Sequence, residues 1–493
     1  MRRTLASLVM GAAITLAGCN LDLINPNNPT PGGAAENPRA ASGRMIAGVM
    51  STYRGNKAGQ IQDFGSYGRE IYNMFITDGR QITGPYRDWR QNNAFTAGSQ
   101  WAGRYGNYRN AYAAMKIVDS TPTTTTPGLP TAFLAEEKAG ARGFLKTYIA
   151  LDLLHAVEAR GAIGAKVDIT DDWNAVHPIV SQDSALAWIS AKLDEAITDL
   201  NAAGATFYFR IYTGFGVGVT GPTTPAGVIQ FNRAIKARVE AYRGSLGCGA
   251  TCYTAALTAL GATWIADLTT ANRDNGYYVI YSTAAGDALN AVSFASNSDY
   301  YVHPGIEAIP SVGLDDRYRR KVALATSVCS TSYNPRSQVG VSATYRPCVY
   351  PTNVTSVPII RNEELVLLRA EARWFTGDPA GAITDLAAVR ANSGASNGGT
   401  SVVAFAAPAA DAEFVSEALL QRTLSLFFEG HRFPDYRRFN RLAQLGTLPQ
   451  DVTAGFTVAA ASVLPSQECD ARARAGAPAP MSCPGGPAVP TVP

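Results

Sequence analysis

The chain has 493 residues with 42 Lys and Arg against 39 Asp and Glu, and charged residues make up only 16% of it. This even, sparse balance offers no basic face of the kind a nucleic-acid binder carries. The length leaves open two to four domains or one large helical array.

Arg2 and Arg3 precede an uncharged apolar stretch from Leu5 to Ala17. A helix needs about twenty residues to span a bilayer, so this stretch suits the h-region of a signal peptide over residues 1–18 instead. It ends in Leu16-Ala17-Gly18-Cys19, a bacterial lipobox. Cys19 is therefore the expected lipid anchor and first mature residue, with several acyl chains to hold it on a membrane. Residues 19–37, rich in Asn, Pro and Gly, read as a tether, and residues 38–493 as one helical domain.

Lipidation of Cys19 explains the odd cysteine count by leaving six. By proximity these pair as Cys248 with Cys252, Cys329 with Cys348, and Cys469 with Cys483, one of fifteen possible connectivities. An exported chain meets an oxidising compartment in which disulfides persist. No pair has CxxC spacing, and His155, His177, His303 and His431 are scattered. Neither a metal nor a cofactor is expected.

Helical periodicity begins at about 131–159, with Phe133, Phe144, Leu145, Tyr148, Ile149 and Leu153 on one face. Over 184–201, Leu186, Ile189, Leu193, Ile197 and Leu200 form a stripe, with Asp183 as the expected N-cap and Gly204 past the end. A third helix runs over 231–244. Near the C-terminus, 363–375 carries Leu365, Leu368, Ala372 and Phe375. Gly377 stops it, Asp378 caps the next helix and Pro379 fits its first turn. The unit from Val357 to Arg390 has tetratricopeptide-repeat length. Repeat-like pairs are expected at about 131–204, 231–270 and 357–394. Irregular loops are expected at 54–110, 205–230, 271–356 and 391–410. The predicted fold class is all-α, a tetratricopeptide-like scaffold bearing a loop-rich, ligand-facing region.

Three motifs resemble catalytic or cofactor signatures only in letters. Gly216-x-Gly218-x-x-Gly221 is followed by Pro222 and Pro225 where a pyrophosphate-binding helix should start. Gly394-Ala-Ser396-Asn-Gly398 follows a helix, whereas a nucleophile elbow follows a strand. The adjacent carboxylates Asp171-Asp172 and Asp315-Asp316 say nothing of the spacing hydrolysis needs. No constellation favours an enzyme.

Two segments carry chemistry. Residues 419–439, "LLQRTLSLFFEGHRFPDYRRF", bring together Glu429, Gly430, His431, Arg432, Asp435, Arg437 and Arg438. These suit a structural ion-pair knot better than a substrate site. Residues 78–93, "DGRQITGPYRDWRQNN", combine Tyr86 and Trp89 with Asp78, Arg80, Asp88, Arg90, Asn92 and Asn93. Such a loop can stack on a sugar ring and fork hydrogen bonds to its hydroxyls, or its rings can simply pin it to the scaffold. Tyr300, Tyr301 and Tyr318 make a second aromatic cluster.

Taken in order, "GCNLDLINPNNPT", "VPIIRNEELVLLRAEARWFTGDPAGAITDLAAVRANSG", "FFEGHRFPDYRRF" and "LPSQECDAR" resemble the SusD/RagB family of outer-membrane nutrient-binding lipoproteins. The resemblance implies a lid-like surface lipoprotein that captures an oligosaccharide or peptide. It further implies delivery to a SusC-like TonB-dependent transporter, with the repeats facing the partner and the loops the ligand. Three departures stand out. Gln421 and Ser425 occupy positions where the family often has glutamates and Pro434 interrupts its usual aromatic step, so a thinner ion network is expected there, and the C-terminal ending is unusual. A lipid-anchored hydrolase and a repeat-based adaptor without a small ligand remain the alternatives.

Overall fold

The computed structural model describes residues 36–91, 100–169, 175–322, 329, 333–395, 405–446 and 448–492. Cys19, the signal segment, nearly all of the tether, Asn92, Asn93, the Asp171-Asp172 pair and Ser396 to Gly398 lie outside them.

The first named element of the described residues is α1 (Pro38–Tyr67). Asn37, assigned to the tether from composition, caps this helix by accepting the Ala40 N–H at 2.9 Å, and Pro38 fills the first turn. After α1 come β1 (Ile71–Asn73), α2 (Arg80–Tyr86) and α3 (Ala102–Ser120). The expected loop over 54–110 is thus largely helical. Its helices were hidden because they bury polar side chains where an apolar stripe would be. Lys57 and Gln60 of α1 are buried, and Lys57 donates to the Glu429 carbonyl at 3.1 Å. Arg104 of α3, fully buried, binds Asp152 at 2.9 Å, and Asn107 donates to the same carboxylate at 2.7 Å.

α4 (Ala135–Arg160) crosses the middle of the core, and Glu137 closes its N-terminus by accepting the Leu134 N–H. α5 (Gln182–Asn201) packs on α4. Gly143 makes that crossing possible, since a Cβ there would meet Leu200 and the Ala196 carbonyl at under 3 Å. The cap of α5 is Ser181, which accepts the Ser184 N–H, and Asp183 sits inside the first turn, where its charge favours the helix dipole. β2 (Gly216–Val217) leads into α6 (Pro225–Arg243), capped by Thr224, and α7 (Ala250–Leu260) packs on α6. The helix therefore starts six residues before its apolar stripe, and the Gly216–Gly221 stretch is the short strand β2 and the loop that feeds the helix.

The middle of the chain supplies β3 (Gly276–Val279), β4 (Tyr300–Val302), α8 (Pro304–Glu307), α9 (Asp316–Lys321), β5 (Tyr333–Gln338), β6 (Val341–Tyr345) and β7 (Val357–Arg361). β1 pairs with β4, β5 with β6, and β3 lies between β2 and β7, all antiparallel. The 34-residue unit thus opens on a strand, followed by α10 (Asn362–Phe375) and α11 (Pro379–Val389). Asp378 caps α11 as expected and Gly377 takes φ +91°. The chain ends through α12 (Asp411–Ser425), α13 (Arg432–Arg438), α14 (Pro449–Thr453) and α15 (Ser466–Arg474). The architecture is a tetratricopeptide-like array of helix pairs, α4–α5, α6–α7 and α10–α11, with short strands in its irregular half. Cys248–Cys252, Cys329–Cys348 and Cys469–Cys483 are disulfide-bonded, with Cα separations of 5.7, 6.3 and 5.4 Å. No helix of the described residues is long and apolar enough to cross a membrane.

Candidate functional site

Between α12 and α13 the chain reverses on Phe428 and Gly430, at φ +58° and +88°. This turn buries the signature side chains, and each finds a partner. Glu429 takes both ends of the Arg361 guanidinium at 2.9 and 3.2 Å. Asp435 bridges Arg422 at 2.6 Å and Arg438 at 3.0 Å, and Arg438 reaches on to Glu371. Arg432 donates to the Gly68 and Arg69 carbonyls at the end of α1, and Arg437 to the Glu158 carbonyl at the end of α4. His431 lies 3.8 Å from Glu364 but is held neutral, because burial and then nearby Arg238 and Arg422 push its pKa well down. The segment therefore ties α1, α4, α10 and α12 to one another.

Gln421 and Ser425, where a thinner ion network is expected, are themselves engaged by a buried guanidinium. Both accept from Arg317, at 2.7 and 3.0 Å, and the balancing carboxylate comes from Asp315, which grips the same guanidinium at 2.6 and 2.9 Å. Asp315 is thereby engaged in structure.

The two aromatic sets singled out in the sequence do come together. β1 and β4 pair Tyr72 with Tyr301 and Asn73 with Tyr300, and Tyr72, Tyr86 and Tyr301 share an apolar cluster with Met74, Ile82, Val341 and Phe456. The rings face inward, however. Trp89 is fully buried against Phe64, Tyr67 and Phe433, its indole N–H donating to Thr457 at 3.1 Å. Tyr86 is buried and donates to the Ile71 carbonyl at 2.5 Å. Tyr300 is buried with its hydroxyl on Gln62, and the Tyr301 hydroxyl accepts from Asn334 at 3.0 Å. Tyr318 of α9 is buried as well. The expected stacking platform of Tyr86, Trp89, Tyr300 and Tyr301 is thus interior packing: these rings pin the loop and its neighbouring ladder. An aromatic–polar alternation looks the same whether its rings face solvent or core. Asp78 and Arg80 stay at the surface, where Asp78 accepts the Arg80 N–H and holds its guanidinium at 2.8 Å.

What this end of the molecule does expose lies beside the pinned loop. Phe75 and Ile76, just past β1, are 42% and 73% exposed, and Tyr333 at the open end of the β5–β6 hairpin is 64% exposed. Tyr333 meets its cross-strand partner Tyr345 edge to face at 5.7 Å. The hairpin is fastened to β1 and the loop after it by Arg336, which bonds the Met74 carbonyl and Asp299, and by Gln338, which donates to the Phe75 carbonyl. Val339 and Gly340, both at positive φ, make its two-residue turn. Sequence reading passed over Tyr333 and Tyr345 inside a long presumed loop. The alternation of "YNPRSQVGVSATY" around a central Val-Gly was the available signal.

The model of the SusD family matches residues 350–466, a stretch that contains α10 to α13 and the signature turn. Among solved structures, a SusD superfamily protein of Bacteroides vulgatus superposes with a TM-score of 0.60 at 14% identity, covering 88% of this chain and 97% of its own. One from Bacteroides thetaiotaomicron reaches 0.61 at 12% identity, with the same coverage. The chain has the SusD fold. A laminarin-binding SusD-like protein also superposes, with a TM-score of 0.58 at 17% identity over 88% of this chain and 97% of that one. No curated protein matches in sequence. The resemblance to the SusD/RagB family read from the motifs is therefore met twice, by the family match over the signature and by the fold over most of the SusD-like chain.

Proposed function

We propose that this chain is a non-catalytic surface lipoprotein that captures a glycan at the hairpin end and passes it to a SusC-like TonB-dependent transporter in the outer membrane. The observation that carries the reading is the exposed Tyr333 ring at the open end of the β5–β6 hairpin, edge to face with the half-buried Tyr345, on the same hairpin whose turn end holds the exposed Phe75. Tyr333, Phe75 and Ile76 offer aromatic and apolar area to solvent, with the exposed Asn334 next to Tyr333 in sequence and the Asp78–Arg80 loop against Val339 in the hairpin turn. Rings of this kind cover the flat face of a sugar, while amide and guanidinium groups reach its hydroxyls. Asn92 and Asn93 follow the same loop in sequence and complete the proposed polar set. Cys19 anchors the chain, and the tether lets the scaffold move over its partner.

Isothermal titration calorimetry against a panel of glycans, laminarin oligosaccharides first because a relative of this fold binds laminarin, together with peptides, tests the reading. Saturable glycan binding with no released product is expected. Hydrolysis would instead make the chain an anchored hydrolase, peptide binding alone would change the ligand class, and affinity only for the transporter would leave an adaptor.

A further inference from the structure

We infer that the cavity between α9, β7 and the Cys348–Pro351 segment is a second binding site, for a sugar-sized ligand carrying an oxyanion. The cavity measures about 420 Å³, within the range of roughly 300–1,000 Å³ typical of small-molecule sites. Its position is set by the β3–β7 ladder, which brings Arg273, Asp274 and Tyr278 beside Arg361, and by α9, which adds Arg320 and Lys321 from the opposite side.

Four cations line this space against three carboxylates, and the carboxylates are unevenly shared. Glu363 and Glu429 are both bound by Arg361, with Lys321 a further 3.6 Å from Glu429. Asp274, mostly exposed, is left to Arg273 at 3.3 Å and to Arg361 at 3.4 Å. Arg320 has no acidic partner among the described residues. It donates to the Ser393 carbonyl at 3.3 Å, and its Nε is buried without a hydrogen-bond partner. Its guanidinium is pushed below the usual range by burial and then by the neighbouring charge of Arg273. Two guanidiniums at a cavity wall, one of them making no ion pair among the described residues, are what a bound anion relieves, because a carboxylate, sulfate or phosphate can take both forks at once. The remaining wall is apolar and aromatic, from Tyr278, Tyr350 and Pro351. A bare inorganic ion would leave this wall uncovered, which is why the ligand is assigned a ring-sized body.

None of these residues belongs to the hairpin face, so the inference stands or falls apart from the glycan reading. Calorimetry on the full mature chain with D-glucuronate, glucose 6-phosphate, glucose 6-sulfate and D-glucose tests it. At least one charged sugar should bind, with glucose about tenfold weaker or silent, and added salt should weaken the interaction. Arg320→Gln and Arg273→Gln should each lower that affinity at least about fivefold, while Tyr333→Ala leaves it unchanged. Thermal melting checks folding, and Arg273→Gln carries the test if Arg320→Gln melts early. Which oxyanion binds tightest identifies the ligand class. Equal binding of glucose, undiminished binding by both glutamine variants, or no binding by any charged sugar would overturn the inference.

Discussion

The signature turn and the hairpin end use the same residue types to opposite effect. In the turn, each of Glu429, Asp435, Arg422 and Arg438 is buried and ion-paired with another charge of the chain itself, so these side chains are committed to holding the fold. At the hairpin, Tyr333 and Phe75 present area that no other part of the protein covers. Aromatic and charged side chains become available for binding only where the fold leaves them unanswered. Substitutions should therefore separate cleanly, those in the turn altering stability and those at the hairpin altering affinity.

The largest effect is expected from Asp435→Ala. Its carboxylate balances Arg422 and Arg438 together, and removing one partner of a buried pair leaves uncompensated charge, at a cost of about 3–5 kcal/mol. Denaturant unfolding should show the loss, with glycan affinity per folded molecule unchanged. Trp89→Ala should follow at about 3 kcal/mol, since it empties a fully buried indole site. If Trp89→Ala instead weakened binding while sparing stability, the division between the two regions would fail at that residue.

The helix pair α10–α11 was legible to within a residue or two because every cue agreed: apolar spacing, Gly377 as the stop, Asp378 as the cap and Pro379 in the first turn. α1 and α3 were not, because Lys57, Gln60, Arg104 and Asn107 occupy inward positions and are satisfied by partners such as Glu429 and Asp152, far away in sequence. A periodicity argument cannot see a hydrogen bond across 372 residues. The same limit misplaced the candidate site. Trp89 and Tyr86 lie in a polar, loop-like context, and only the pairing of β1 with β4 and the return of residues 456–459 decide that their rings are enclosed. Proximity along the chain did suffice for the three disulfides, whose partners are at most 19 residues apart.

A smaller effect should distinguish the regions by pH. Glu70, buried where α1 meets the signature turn, accepts the Phe428 N–H at 3.0 Å. Burial raises its pKa to about 8, outweighing that hydrogen bond and the pull of Arg432. A carboxyl whose folded pKa lies above its unfolded value of 4.5 binds its proton more tightly in the folded state. Its contribution to stability is full below pH 4.5 and is lost as the pH rises through about 8. Glu70→Gln cannot ionise and keeps an acceptor for Phe428. It should match the wild type in melting temperature near pH 4.5 and become progressively more stable by comparison up to pH 8. Other buried acids, such as Glu158, with a pKa of about 7, are present in both proteins and drop out of the difference. A constant difference across that range would show that Glu70 is already charged in the folded protein.

The smallest change in stability and the sharpest in function are expected from Tyr333→Ala. With 64% of Tyr333 exposed and one edge contact to Tyr345, truncation should alter stability by no more than about 0.5 kcal/mol. A lost aromatic contact is worth about 0.5–1.5 kcal/mol, so glycan affinity should fall up to roughly tenfold at the upper end of that range. Tyr333→Phe should retain most of it if the face of the ring, and not the hydroxyl, meets the sugar. Because Tyr333 and Tyr345 face each other across the open end of the hairpin, a stacked sugar would touch both, and the double alanine variant should lose less than the sum of the two single losses. Strict additivity would mean that the rings act at separate places, and unchanged affinity in all three variants would move the glycan site away from the hairpin.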